Sequence, residues 1–132
     1  MRRLLRLSVI VLTSLALLGA MHVGRQASGC RLRPGSNVML YGGPDDPDVF
    51  LWDSPMDLAA YHTDSYDAAR SMLGHAIVVT GGTHGVVVMC LPHFVHREAG
   101  FDDAVRVLLG DGPYRGRVGW VFAGDLRAVS RP

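Results

Sequence analysis

Lysine is absent from this 132-residue chain, and so are the sequence repeats that would indicate a particular architecture. All thirteen basic residues are arginine, a bias from which we draw no functional conclusion. There is no internal repeat, heptad pattern or low-complexity block, so neither a repeat architecture nor a coiled coil is expected. Apolar residues make up 48% of the chain, which is enough to form a buried core.

The chain also lacks a basic cluster outside its first 25 residues. Residues 1–25 contain four arginines and no acidic residue, whereas residues 26–132 contain nine arginines and twelve Asp or Glu residues. The larger part therefore carries a net charge of about −3, and nucleic-acid binding depends on clustered positive charge. We expect no nucleic-acid partner.

Charge is missing again near the N-terminus, where Leu7 to Met21 form an uncharged, mostly apolar run of fifteen residues. Arg2, Arg3 and Arg6 precede it, which is typical of an export signal whose basic end stays in the cytoplasm. The run is short for a membrane-spanning helix, which needs about 20 residues. We predict that residues 1–29 are a signal peptide or an N-terminal hydrophobic anchor helix. The protein would then be periplasmic or tethered to the outer face of the inner membrane, with membrane contact only through this segment.

The processing of this segment is left open by the sequence. Ala20 ends one candidate cleavage site, and Ala27-Ser28-Gly29 fits the small-x-small rule at a second. The second site precedes Cys30, so it also resembles a lipobox, the signal for lipidation of that cysteine. Cleavage, lipidation at Cys30 and retention as an anchor are therefore three alternatives.

Only two cysteines are present, Cys30 and Cys90. An even number of cysteines in an exported chain allows one disulfide. Closing a loop of about 60 residues would stabilise the fold by roughly 4 kcal/mol in the chain-entropy model. Against this pairing, Cys30 lies in a segment that we predict to be a linker or to be lost on cleavage.

The middle of the chain predicts a linker, a strand and a helical insertion. Residues 30–47 read as a linker with one short apolar run, Val38 to Tyr41, and a turn-forming GGPDDP sequence. Val49 to Trp52 are bulky or β-branched, as in a strand. Residues 54–73 then change to helical spacing, with Ser54 as the capping residue. Two short helices and one broken helix both fit this pattern.

From residue 75 onward the pattern is that of strands. Two Val-rich runs flank Gly81-Gly82 and predict two strands around a turn. Leu91 to Phe101 is predicted to be a loop, and three further strands follow, at Ala104–Leu109, Arg117–Phe122 and Leu126–Val129. We therefore predict a mainly β domain over residues 48–132, a small barrel of five to six strands with the helical insertion.

The C-terminal half resembles a bacterial Src-homology-3 (SH3b-like) domain. In that family a Gly-Thr turn leads into a Val-rich strand, and a later hairpin carries the pattern G-x-x-G-W-V before a single-turn helix and a final strand. The matching residues are Gly82, Thr83, Val86, Val88, Gly116, Gly119, Trp120, Val121 and Leu126. Phe50 to Asp53 is also similar to the opening Ala-Leu-Tyr-Asp of the family. Gly116 and Gly119 would provide a positive φ or a close backbone approach, and Trp120 would fill the barrel.

The resemblance implies a binding or structural module of the cell envelope whose ligand is a cell-wall peptide or a partner protein. Candidate contact residues are aromatic side chains near the turns, Trp52, Tyr61 and Tyr114. Phe122 and Leu126 stand where peptide-binding members carry Pro and Tyr, so the proline-rich-peptide groove is not expected here.

Motifs for catalysis and cofactor binding are scarce. GGTHG lacks the Lys-Ser/Thr ending of a phosphate loop, and Cys90 has no evident third group to support a nucleophilic role. We predict no enzyme activity, no cofactor and no metal. The alternative is a small periplasmic metal-binding protein that uses the sequence Cys90-x-x-His93-x-x-His96, because thiolate and imidazole suit zinc or copper.

Overall fold

The described residues form a curled antiparallel half-barrel sheet, which confirms the predicted mainly β class. The computed structural model describes residues 29–63, 65–97 and 100–130. Within them the strands are β1 (Asn37–Leu40), β2 (Val49–Trp52), β3 (Ala76–Val79), β4 (His84–Arg97), β5 (Gly100–Leu109), β6 (Val118–Phe122) and β7 (Leu126–Ala128). The strand order is β3-β2-β6-β5-β4-β1-β7. The predicted N-terminal helix lies outside the described residues.

The apolar run that we assigned to a linker is strand β1, inside the sheet. It pairs with β4 on one side and with the last strand, β7, on the other. Val38 and Leu40 are fully buried. The boundary placed between a 30–47 linker and a domain starting at residue 48 is therefore wrong. Four residues were too few to show a period, and the Gly/Pro/Asp turn that follows β1 concealed its place in the sheet.

The helical insertion lies between β2 and β3, which pair with each other. It consists of helices α1 (Pro55–Thr63) and α2 (Tyr66–Ser71) and a 3₁₀ helix, Met72–His75. The predicted capping by Ser54 is confirmed, because the Asp57 backbone N–H donates to the Ser54 hydroxyl at 3.1 Å.

The turn at residues 80–83 does not form the expected hairpin. The Thr83 N–H bonds to the Thr80 carbonyl at 3.2 Å, and Gly82 adopts a φ of +94°. However, β3 pairs with β2, whereas β4 pairs with β5 and β1. Leu40 of β1 exchanges backbone hydrogen bonds with Gly82 and Thr83, so this turn is a corner held by the first strand.

The segment predicted to be a loop, Leu91 to Phe101, contributes its described residues, 91–97 and 100–101, to the paired ends of β4 and β5. Pairing shifts between Leu91 and Val95 and then resumes, with Val95 opposite Asp102. Pro92 lies in this irregular part of the strand, where the lack of an N–H is tolerated. His93 follows with a φ of +49°. The bulge accommodates the proline that led us to predict a loop.

Buried side chains lie on both faces of the sheet. The inner core fills the curl and consists of Val38, Leu40, Val49, Leu51, Val79, Val87, Val105, Val107, Leu109, Val121, Ala123 and Leu126. The outer cluster comprises Trp52, Leu58, Val95, Ala104, Trp120 and Phe122, and side chains of α1 such as Tyr61 pack against it. Trp120 is therefore buried as predicted, but beneath the helices and not inside the curl.

The two glycines singled out in the β5–β6 hairpin have different roles. Gly116 adopts a φ of +86° in the turn. At Gly119, a Cβ would lie 2.5 Å from Leu51 Cγ and 2.9 Å from the Trp52 carbonyl oxygen. Gly119 therefore permits the close approach of β6 to β2.

Gly119→Ala should lower the free energy of unfolding by about 1–3 kcal/mol, because the methyl group overpacks this contact. Gly74→Ala is the control, since a Cβ there meets no atom within 4 Å and Gly74 has no positive φ. Chemical denaturation of both variants tests the assignment. Equal stability of the two variants would show that the contact at Gly119 relaxes without cost.

Candidate functional site

Cys30 and Cys90 form a disulfide across 60 residues of sequence. Their Cα atoms are 6.3 Å apart, within the usual range for such a bond. Cys90 lies in β4 opposite Val105. The pairing that the sequence left open is thus present, and it fastens the segment before β1 to the centre of the sheet.

A buried carboxylate holds the chain on both sides of this disulfide. Asp103 in β5 is only 6% exposed. Its Oδ2 accepts a hydrogen bond from the Arg31 backbone N–H at 3.2 Å, and its Oδ1 accepts one from the His93 backbone N–H at 3.0 Å. Arg31 adjoins Cys30, and His93 lies in the bulge after Cys90. Asp103 therefore supports the same junction that the disulfide closes covalently.

The disulfide removes the free thiol that the metal-binding alternative requires. Cys90 is bonded to Cys30, so it has no thiolate to offer a metal ion. Among the described residues, the one group of three ligand atoms within 4.8 Å of one another is Cys30, Cys90 and Asp103. His93 and His96 are not part of it, and the His96 ring instead packs edge-on against Phe101 at 5.0 Å. The structure does not bring the predicted Cys90, His93 and His96 set together.

An open cleft of about 300 Å³ lies beside the disulfide. We call it the disulfide cleft; it is lined by Cys30, Leu32, Arg33, Pro34, Val88, Met89, Cys90 and Pro92. Val88 and Met89 are each 43% exposed, so they give the cleft an apolar wall that is open to solvent. This cleft can receive an apolar group, with Arg33 available for a negative charge.

A second cleft, also of about 300 Å³, lies at the turn between β5 and β6. Val86 and Val129 contribute to its wall, as do His84 and Asp111. Asp111 accepts two hydrogen bonds from His84, at 2.8 Å from the backbone N–H and at 3.0 Å from ring Nδ1. These bonds hold the pKa of Asp111 below its ordinary value, with the backbone N–H as the larger cause. The pair fixes the turn to the start of β4.

Asp111→Asn should remove a stabilising contribution that exists only when the carboxylate is ionised. Because the folded-state pKa is lowered, the contribution is complete above the ordinary value of 3.8 and disappears as the pH falls through the folded-state pKa. Both side chains are about half exposed, so the effect should stay below about 1 kcal/mol. Thermal unfolding at pH 7 and near pH 2 measures it. An unchanged difference between wild type and Asp111→Asn across that range would contradict the assignment.

The three aromatic residues predicted to contact a ligand lie in different surroundings. Trp52 is 1% exposed, so it is a core residue and its assignment as a contact residue is wrong. Tyr61 is half-buried, with its ring 4.8 Å from that of Trp52. Tyr114 is 39% exposed in the hairpin turn, far along the chain from the other two. Trp52 and Tyr61 therefore pack together in the outer cluster, of which Tyr114 is not a member.

Sequence reasoning missed the exposed apolar surface on β4, β5 and β6. Val86, Leu108 and Val118 are 37%, 39% and 39% exposed. The run GVVVM contains Val86 and the run RVLL contains Leu108, each with buried neighbours, and Val118 directly precedes buried Gly119 and Trp120. In GVVVM no charged residue marks the exposed face. In RVLL the alternation with Arg106 places Leu108 on the exposed face, but only the strand pairing brings it beside Val86 and Val118.

Comparison with known proteins yields no relative: no family model, curated protein or solved structure matches the chain. None of the helices in the described part of the chain has the length and hydropathy needed to cross a bilayer.

Proposed function

We propose that this protein is an exported, non-enzymatic binding or structural module of the cell envelope, built on an Src-homology-3-like barrel. Its ligand in this proposal is a cell-wall peptide or a partner protein. The observation that carries the proposal is the disulfide between Cys30 and Cys90. Disulfides form and persist mainly in oxidising compartments outside the cytoplasm, which agrees with the export signal predicted from Arg2, Arg3, Arg6 and the uncharged run.

The strand connections support the barrel type. A 3₁₀ helix, Ala123–Asp125, separates β6 from β7, matching the single-turn helix that precedes the final strand of the Src-homology-3 family. The Gly82-Thr83 corner leads into β4, and β6 carries Gly119, Trp120 and Val121 as the resemblance implies.

The opening strand of that family corresponds better to β1 than to β2. In the sheet, β1 pairs directly with the final strand, β7. Leu40-Tyr41 would then replace Leu51-Trp52 as the counterpart of the family's opening Leu-Tyr pair. With this assignment the excursion between the first two barrel strands spans residues 41–83 and includes β2, both α-helices and β3.

The location can be tested on the full chain in cells by the redox state of its cysteines. We expect Cys30 and Cys90 to resist a thiol-alkylating reagent until a reductant is added. A fusion after Pro132 to a reporter active only outside the cytoplasm should also be active, and replacing Arg2, Arg3 and Arg6 with Glu should reduce that activity. Two freely alkylated cysteines together with an inactive reporter would contradict the proposal.

Binding is tested by adding the purified full chain to isolated cell-wall material and, separately, to envelope proteins. We expect the chain to be retained on one of the two fractions. The variant Asp111→Asn should be retained equally well, because the Asp111–His84 pair is assigned to the turn and not to a ligand. Retention on neither fraction would leave the binding proposal without support and would count against it.

A further inference from the structure

We propose that the exposed outer face of β4, β5 and β6 binds an acidic amphipathic helical segment of a partner protein. This inference rests on the proposed function, because it names the surface and the partner chemistry of the same binding module. We call the surface the shelf, and its residues are Val86, Val88, Met89, Leu108 and Val118.

The centre of the shelf is a row of three side chains in direct register. Val86 in β4 lies opposite Leu108 in β5, and Leu108 lies opposite Val118 in β6. Cross-strand partners project from the same face of a sheet, so these three side chains are neighbours. Each is between 37% and 39% exposed, so the row forms a contiguous apolar patch, which is the kind of exposed apolar surface that marks interaction sites.

The shelf continues a surface that the protein already covers with its own helix. Every second residue of β6 projects from the same face, and these residues are Val118, Trp120 and Phe122. Trp120 and Phe122 are buried in the outer cluster, whereas Val118 is exposed. On β5 the same change occurs between buried Ala104 and exposed Leu108. The outer cluster includes Leu58 of α1, so a helix packs on one half of the face and leaves the other half open. A second helix lying beside α1 would complete that layer.

Two arginines give the shelf a charge preference. Arg106 lies in register between Met89 and Trp120, and Arg33 lines the disulfide cleft together with Met89. Both are exposed. Within the described part of the chain the salt bridges are His75–Asp57 and His84–Asp111, so neither of these arginines has a carboxylate partner.

The unpaired arginines favour an acidic partner over a second copy of this chain. In a symmetric dimer the same surface meets itself, so shelf-to-shelf packing would place two surfaces that both carry unpaired arginines against each other. Juxtaposed like charges disfavour an interface. A partner helix with glutamates bordering an apolar stripe would instead pair with these guanidinium groups while its apolar side chains cover Leu108 and Val118.

The test uses two synthetic peptides and the full-length chain. One peptide is an 18-residue helix with leucines at i, i+3, i+4 and i+7 spacing and glutamates beside them; the other has lysine in place of every glutamate. Fluorescence anisotropy should show that the wild type prefers the glutamate peptide. Leu108→Ser should weaken that binding by at least about fivefold, a loss of roughly 1 kcal/mol. Arg106→Glu should abolish most of the preference for the glutamate peptide, because the new carboxylate offsets the remaining charge of Arg33.

Val78→Ser is the matched control, because Val78 is 51% exposed but lies on the edge strand β3, away from the shelf. It should bind like the wild type, and all variants should keep the wild-type melting temperature within a few degrees.

Several results would overturn the assignment of the shelf. Equal affinity for the two peptides would show that Arg33 and Arg106 do not select an acidic partner. Unchanged binding by Leu108→Ser would show that the peptide binds outside the shelf. A dimer in sedimentation that Leu108→Ser dissociates would make a second copy the occupant. Binding of purified cell-wall peptide that Leu108→Ser abolishes would make the cell wall the ligand. These measurements use purified protein, so they stand apart from the test of export, which depends on the cysteines being oxidised in cells.

Discussion

Replacing both Cys30 and Cys90 with serine is expected to lower the free energy of unfolding by about 4 kcal/mol, the chain-entropy value for a loop of this length. The bond links residues separated by 60 positions, so it restricts the unfolded chain strongly. It also attaches the start of the described chain to β4, where the backbone N–H groups of Arg31 and His93 donate hydrogen bonds to the Asp103 carboxylate and hold the same junction. Urea denaturation at neutral pH is the measurement.

Reduction of the wild type provides the control for this double substitution. Wild type in excess dithiol reductant and the serine variant should unfold at nearly the same urea concentration, since both lack the cross-link. A loss below about 1 kcal/mol in both would mean that the loop is already restricted in the unfolded state. A variant that unfolds much earlier than the reduced wild type would indicate that the serines disturb the packing around Val105.

Trp52→Ala should lower the free energy of unfolding by about 3–5 kcal/mol, the usual range for removing a large buried aromatic side chain. Trp52 is 1% exposed and lies opposite Trp120 in the pairing of β2 with β6. Its ring is 4.8 Å from that of Tyr61 and 5.9 Å from that of Phe50, so the substitution leaves a cavity between the sheet and α1. Thermal and chemical unfolding measure the loss.

Tyr114→Ala is the matched aromatic control. Tyr114 is 39% exposed in the hairpin turn, so its truncation should change stability by no more than about 0.5 kcal/mol. If Trp52→Ala were as stable as wild type while Tyr114→Ala unfolded early, the core and surface assignments would be reversed. Trp52 would then return as a candidate ligand contact.

Local chemistry made several elements of this fold predictable. The Ser54 hydroxyl satisfies a backbone donor at the start of α1, and this depends only on neighbouring residues. The alternation of Val105, Val107 and Leu109 with outward-facing residues predicted the second half of β5, Ala104 to Leu109, but not its start at Gly100. The structural need for glycine in the last hairpin was also predicted from the sequence. Gly116 has a positive φ and Gly119 permits a close approach between strands, and both conditions restrict which residues fit.

The candidate site was much less predictable, since its contacts join distant parts of the chain. Cys30 meets Cys90 only because β1 enters the sheet beside β4, and β1 was interpreted as linker. The His84–Asp111 pair spans 27 residues and depends on the corner before β4 and the turn after β5. Such proximity has no local signature, so spacing alone directed attention to Cys90, His93 and His96 instead.

By itself, the sequence determined the mainly β class, the helical insertion and the strands from Ala104 onward, because strand and helix periods and caps are set by neighbouring residues. The tertiary structure alone decided which face of each strand is covered. A period of two separates two faces, but it does not say which face a helix or another strand will cover. Here α1 buries Trp120 and Phe122 and stops before Val118, on the same face of the same strand.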